Sequence, residues 1–306
     1  MYRRCLKLVS ICVIILSQLF VISGVDAKVP VILPSAETYQ PVANEFASAI
    51  VVDTATGNVL YSFKPTMVWP AASLTKLMSM LVFLDHAPSW NSTVTLLAKD
   101  EVGGGRMQAK SGTKASVVNL FYTSLMASTN NTTMALARAT GMSQSVFAKR
   151  MNQKAAALGL KSTTFVEPTG MSPNNKTTAT DMAKLAQKAF SNAWIHRALT
   201  TPTYSFTMRG TTKGIKTVKN TDVFLTEYDN VYVKGAKTGF LYESQYNLVT
   251  TLRGDAGAVD EPYLTVVVLG APSKASSFES TSALAEWAWK AYSWQSTSPA
   301  KTLSAK

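Results

Sequence analysis

The sequence predicts an α+β fold: an antiparallel sheet built from both chain ends, flanked by helices, with a helical insertion between its two halves. Three observations predict it. β-Branched runs cluster before residue 63 and return after about residue 230. The segments between them carry apolar residues at three- and four-residue spacing. No break in composition and no internal repeat marks a second domain. The chain has 306 residues, 46% hydrophobic and 16% charged. That is enough for a large core, and it excludes a disordered chain, a collagen and a multi-span membrane protein.

Residues 1–27 read as a secretory signal. Arg3, Arg4 and Lys7 precede an apolar stretch from Leu8 to Val25, and Val25-Asp26-Ala27 ends it with small residues. An uncleaved membrane anchor is the alternative, and either reading places the rest outside the cytoplasm, in the periplasm or cell envelope. Residues 28–45, with Pro30, Pro34 and Pro41, form an extended lead-in to one domain at 46–294. Within it, 48–52 and 59–61 pair as a hairpin about Gly57-Asn58. A helix follows from Ser73 to about Leu84. Helices are expected at 116–126, 131–140, 145–158 and 180–190. In the third, Phe147, Met151, Ala155 and Leu158 share a face and Gly159 supplies a C-terminal cap. Thr180 and Asp181 suit the start of the fourth. Strands return at 231–239, 246–252 and 263–269. A last helix spans about 277–292, and 295–306 form a loose tail.

Composition narrows the chemistry. The chain holds two cysteines, Cys5 and Cys12, both in the signal, so the mature protein has neither thiol nor disulfide. Its two histidines, His86 and His196, have no partner motif and read as structural. A Cys- or His-rich metal site cannot be assembled from these, and no metal or cofactor is expected. Removing residues 1–27 lowers basic residues from 30 to 27 and acidic ones from 18 to 17, leaving a net charge of +10. An exported cation suits a cell-wall polymer or a membrane surface. Without a basic stripe interleaved with aromatics, nucleic acid is not the expected partner. No stable protein partner is inferred.

Scarce histidine leaves a Ser/Lys pair as nucleophile and base. Ser-x-x-Lys occurs at Ser73/Lys76, Ser111/Lys114 and Ser298/Lys301. The second reads as a turn and the third lies in the tail. Only Ser73 opens an apolar helix, which places Ser73 and Lys76 on one face and holds the amine where its neutral form is favoured. As purely structural residues they would be a helix cap and a snorkelling side chain. Ser-x-Asn also occurs three times, and Ser128-Thr129-Asn130 alone falls in a short polar loop between apolar helices. Lys237-Thr238-Gly239 occurs once, at the end of a strand. There a cation and a hydroxyl can hold a carboxylate, and the glycine admits a ligand to the backbone.

In this order the three patterns resemble the set of class A β-lactamases and penicillin-binding proteins. With Pro70-Ala71-Ala72-Ser73-Leu74-Thr75-Lys76 and the stretch at 147–172, the chain from about Ser48 to Trp289 resembles the low-molecular-mass penicillin-binding proteins, the serine D-alanyl-D-alanine carboxypeptidases and endopeptidases. The resemblance implies a β-lactamase/transpeptidase-like fold, peptidoglycan stem peptides as substrate, and covalent acylation by β-lactams. It implies that Ser73 attacks the D-alanyl carbonyl and that Lys76 takes its proton. Ser128 relays the proton to the leaving amine, and Asn130 orients Lys76 and the substrate amide. Lys237 and Thr238 hold the leaving residue's carboxylate. The backbone N–H groups of Ser73 and Phe240, beside Gly239, make the oxyanion hole. Lys237 near Lys76 would also lower the latter's pKa.

The chain departs from the family pattern at Asn131, where an Asp often stands, and at Gln245, where a Gly is common; both departures could alter substrate preference. The further β domain and anchor helix of many carboxypeptidases are not seen, which favours the compact, cross-link-cutting endopeptidases. Glu167 lacks the context of a β-lactamase's deacylating glutamate. Gly103-Gly104-Gly105 is expected as a flexible edge of the cleft rather than a phosphate loop. Trp287, Trp289 and Trp294 are expected in helix packing and on the surface. The sequons at Asn91 and Asn131 carry little meaning outside a eukaryote. A serine β-lactamase of the same fold and a non-catalytic wall-binding module are the competing functions.

Overall fold

The computed structural model describes residues 28–34, 46–86, 89–228, 231–254 and 262–296. The expected signal or anchor, most of the lead-in and residues 297–306, with Ser298/Lys301, lie outside them. The first half contains strands β1 (Lys28–Ile32), β2 (Ser48–Asp53), β3 (Val59–Phe63) and β4 (Trp69–Pro70). Helix α1 (Thr75–Leu84), strands β5 (Thr93–Thr95) and β6 (Thr113–Ser116), and helices α2 (Val117–Met126), α3 (Asn130–Ala139) and α4 (Gln144–Ala157) follow. Strand β7 (Lys176–Thr177), helices α5 (Ala179–Phe190) and α6 (Ala193–Leu199), and the hairpin β8 (Thr203–Gly210)/β9 (Gly214–Lys219) come next. Helix α7 (Val223–Glu227), strands β10 (Tyr232–Leu241), β11 (Gln245–Arg253) and β12 (Leu264–Ala271), helix α8 (Lys274–Ala291) and strand β13 (Tyr292–Ser296) complete the chain.

The main sheet has the order β10-β11-β12-β2-β3, antiparallel throughout, so the two chain ends do build one sheet around a helical insertion. Its central strands are buried on both faces, which is why they read as apolar runs rather than alternations. Ile50 and Val52 of β2, with Val267 and Leu269 of β12, pack into the helical cluster of α1–α6. Their neighbours Ala49, Val51, Val266 and Val268 pack against α8. Period-two side-chain alternation thus divides one pair of strands between two cores.

Helix ends follow local chemistry. Ser143 Oγ accepts from the Val146 N–H at the start of α4, and Asn192 Oδ1 caps α6. The cap of α5 is Thr178, two residues before the expected position. Its Oγ1 accepts from Asp181 N, freeing the Asp181 carboxylate to accept from Ser162 N and Thr163 Oγ1. The last helix begins at Lys274, earlier than expected, because Ser273 and Ser276 cap it reciprocally.

Three features depart from the sequence reading. Lys28–Ile32 pairs with Tyr292–Ser296, so the lead-in starts as a paired strand, and Gln295 and Ser296, expected in the loose tail, belong to its partner strand. Trp294 Nε1 ties that last strand to Asp53 Oδ2 at 2.8 Å. A second sheet, ordered β5-β6-β8-β9, occupies part of the middle region expected to be helical. Only Phe206, Met208 and Val218 are buried on its hairpin, too few apolar positions to signal strands. Among the described residues no helix is long and apolar enough to cross a membrane.

Helix α5 lies between the main sheet and α1, with Leu185 fully buried in that contact. Leu185→Ala is therefore expected to lower the unfolding free energy by about 2–5 kcal/mol in urea denaturation. A loss under about 1 kcal/mol would mean that α5 is not seated on the sheet as described.

Candidate active site

Ser73 does not begin the α-helix itself. It sits in a 3-10 turn, Ala72–Leu74, that feeds α1 one residue later. Ala72 has φ +47°, a left-handed conformation that costs a non-glycine residue about 1–3 kcal/mol. The turn is wedged between two glycines. A Cβ on Gly170 would strike the Ala72 carbonyl, and one on Gly239 of β10 would come 3.1 Å from Ser73 N. Both the 167–172 loop and strand β10 thus approach the Ser73 backbone as only glycine permits.

Lys76, one turn on, is wholly buried. Its Nζ donates to Asn130 Oδ1 and to the Thr169 carbonyl, both at 2.6 Å, and is hydrogen-bonded with Ser73 Oγ at 2.8 Å, a hydroxyl able to donate or accept. Asn130 is held from both sides by the glycine triplet. Its Nδ2 donates to the Gly103 carbonyl at 2.8 Å, which fixes Oδ1 toward Lys76, and its backbone N donates to the Gly105 carbonyl at 2.6 Å. The triplet is thereby a pinned support rather than a free edge. Burial drives the Lys76 pKa well below the ordinary lysine range; the charge of Lys237 adds to the fall and that of Glu167 opposes it.

Ser128 occupies the loop between α2 and α3, with φ +56°. Its Oγ accepts from Lys237 Nζ at 2.8 Å, and Lys237 also donates to the Thr238 carbonyl at 3.0 Å. Burial lowers the Lys237 pKa to about 7, opposed by Asp222. Thr238 Oγ1 donates to Thr221 Oγ1 at 2.9 Å. Ser73, Ser128, Asn130, Thr238, Gly239 and Phe240 line one cleft of about 590 Å³. Phe240 is 41% exposed, with its ring centroid 4.5 Å from that of Tyr246. All eight residues singled out in the sequence therefore converge on one cleft or on the groups that line it.

Several contributors carry no motif. Glu167 Oε2 accepts from the N and Oγ1 of Thr169, both at 2.6 Å, and Oε1 accepts from Gly170 N at 2.6 Å and Asn175 Nδ2 at 2.9 Å. It knots the loop that aims the Thr169 carbonyl at Lys76. Asp222 is buried beside the site, its Oδ2 without a hydrogen-bond partner among the described residues. Burial raises its pKa to about 7, against Lys274 and Lys237. Lys274, at the start of α8, lines the same cleft. Glu167-Pro168-Thr169-Gly170 reads as a turn with a capping carboxylate, and Asp222 as an N-cap; those signals were available but do not point to the cleft.

The two departures have structural explanations. Asn131 is buried, accepting from Met107 N and donating to the Met107 carbonyl and to Glu101, so it braces the 101–107 segment. Gln245 has φ +52° in the β10–β11 turn, the conformation that favours glycine, and its side chain donates to the Tyr242 carbonyl at 2.6 Å. His86 bonds the Val82 carbonyl and His196 the Lys234 carbonyl, and neither lines the cleft.

The Glu167 knot makes a stability prediction. Glu167→Ala strands several buried N–H groups and is expected to cost about 1.5–3 kcal/mol or more in thermal unfolding. An unchanged melting temperature would contradict the role given to it.

The chain is similar to known proteins over most of its length. A D-alanyl-D-alanine endopeptidase of Pseudomonas aeruginosa is 32% identical over 287 residues, 92% of this chain and 88% of that one. A D-alanyl-D-alanine endopeptidase of Escherichia coli is 30% identical over 251 residues, 78% of this chain and 76% of that one. The Streptomyces K15 DD-transpeptidase superposes with a TM-score of 0.73 at 23% identity, over 82% of this chain and 100% of the other, and shares its fold. The profile of the D-alanyl-D-alanine carboxypeptidases matches residues 35–273, a span that takes in the serine turn, the 128–130 loop and strand β10; the chain belongs to that family, peptidase S11.

Proposed function

We propose that this chain is an exported serine DD-peptidase that hydrolyses D-Ala–D-amino acid bonds in peptidoglycan stem peptides through an acyl-serine intermediate. The observation that carries the reading is the bonding of Lys76. A neutral amine has two N–H donors and one lone pair. Asn130 Oδ1 and the Thr169 carbonyl can only accept, so they take the two hydrogens and leave the lone pair facing Ser73 Oγ.

From that arrangement the reaction follows. Lys76 takes the Ser73 hydroxyl proton as Oγ attacks the D-alanyl carbonyl. The backbone N–H groups of Ser73 and Phe240 receive the developing oxyanion. The C–N bond breaks as the proton passes from Lys76 through Ser128 to the leaving amine. Water then attacks the ester, Lys76 again accepts a proton, and Ser73 is restored. Lys237 and Thr238, with Lys274 nearby, hold the leaving residue's carboxylate.

Two considerations refine the reading. The Glu167 carboxylate is occupied by the N–H and O–H groups of its own loop, so it is not free to activate water as a β-lactamase glutamate does. The two relatives above are named endopeptidases and align over most of this chain, which favours cross-link cleavage over release of terminal D-alanine.

Labelled benzylpenicillin is expected to acylate wild-type protein and not Ser73→Ala. Equal labelling of both would overturn the nucleophile assignment. Lys76→Met is expected to slow acylation about 10²–10⁴-fold while the adduct still maps to Ser73. The pH profile of kcat/KM has two limbs. Activity rises with pH as Lys76 loses its proton. It falls above about pH 7 as Lys237 loses the charge that grips the substrate carboxylate. Amidating the substrate's C-terminus should remove the alkaline limb only; a limb that persists there does not belong to Lys237.

A further inference from the structure

The outward face of the second sheet has no part in the chemistry at Ser73, yet its composition is one-sided. Strands β5, β6, β8 and β9 contain no Asp or Glu, and none occurs between Glu101 and Glu167 or between Asp181 and Asp222. Alternation brings the hydroxyls of Ser205, Thr207 and Thr217 to the same exposed face as Lys114, Arg209 and Lys219. Lys114 and Arg209 are direct partners in the β6–β8 register. Like charges so placed repel, and the ion pairs among the described residues lie elsewhere: Arg138–Asp100, Lys154–Asp85 and Lys290–Glu286. Folding gains nothing from that pair, whereas an anionic occupant would be held by it. Both line a cavity of about 720 Å³, together with Asn91, Asn119 and Thr207.

The face adjoins the working cleft. Strand β9 ends at Lys219, two residues before Thr221, which lines the cleft and bonds Thr238. Strand β8 alone is about 26 Å long at the usual rise per residue, far more than a scissile dipeptide needs. The hydroxyls match a polysaccharide and the cations match peptide carboxylates. A bilayer would find charge here but only Ile215 to insert, the one large apolar side chain exposed on these strands.

We propose that this face is a second binding site for the wall polymer. Its hydroxyls hydrogen-bond the glycan while Lys114 and Arg209 pair with carboxylates of stems other than the one at Ser73. The inference rests on the peptidase reading and names a further part of the same substrate.

The test uses full-length protein carrying Ser73→Ala, which leaves the wall uncut, pelleted with isolated sacculi at increasing salt. Binding is expected to fall with salt, and adding Lys114→Glu with Arg209→Glu should weaken it about fivefold, the milder Lys114→Gln with Arg209→Gln less. With Ser73 intact, the charge-reversed pair should slow release of fragments from sacculi and leave benzylpenicillin acylation and soluble-peptide hydrolysis unchanged. Equal pelleting of parent and variants overturns the proposal. So does lost binding to phosphatidylglycerol vesicles with sacculus binding intact. Failure of the parent to be acylated by penicillin would instead strike at the peptidase reading, independently of pelleting.

Discussion

A buried lysine amine with two fixed carbonyl acceptors is the constraint on which the rest of the site depends. A charged amine at the Lys76 position would need its full set of acceptors and would still lack solvation. The protein supplies two acceptors that cannot donate, Asn130 Oδ1 and the Thr169 carbonyl, and one hydroxyl that can do either, Ser73 Oγ. On the proposed mechanism, deprotonation relieves the desolvation penalty and at once directs a lone pair at Ser73 Oγ. Burial therefore performs the activation, and hydrogen bonding gives it direction.

Much of the surrounding architecture keeps those acceptors still. Glu167 organises the loop behind Thr169, and the glycine triplet holds Asn130 by both its side chain and its backbone. The turn at Ala72 and the loop at Ser128 both hold non-glycine residues at positive φ, and both border the cleft. Strain of that kind persists where neighbouring structure over-determines it. At Ala72 the neighbours are β10 and the 167–172 loop, which approach through Gly239 and Gly170; at Ser128 the neighbour is Gly105. Lys237, bonded to Ser128 Oγ, adds its field to the burial that lowers the Lys76 pKa, and in the proposed mechanism it is the cation that meets the substrate carboxylate.

What the sequence revealed and what it hid divide along physical lines. Ser73, Lys76, Ser128, Asn130 and the 237–240 segment were legible because chemistry selects side-chain types at short fixed spacings, and each lay at the edge of a strongly patterned element. The central strands β11, β12 and β2 were legible because burial on both faces makes continuous apolar runs. The β8–β9 hairpin was not, because it buries one face thinly and displays Thr, Ser and Lys on the other. The 3-10 turn at Ser73 depends on backbone contacts with Gly170 and Gly239, residues distant in sequence. The Thr169 carbonyl was invisible for a simpler reason: every residue has one, and only the fold decides which of them meets a lysine.

The most direct measurement is the protonation state of Lys76 in the free protein, followed by NMR of lysine labelled at Cε and Nζ, with the signal assigned by its loss in Lys76→Arg. The account predicts that this signal titrates well below the ordinary lysine range, its neutral form present before any ligand is added. A Lys76 signal that stays charged to pH 10 would contradict it, because the amine would then have no lone pair to offer Ser73.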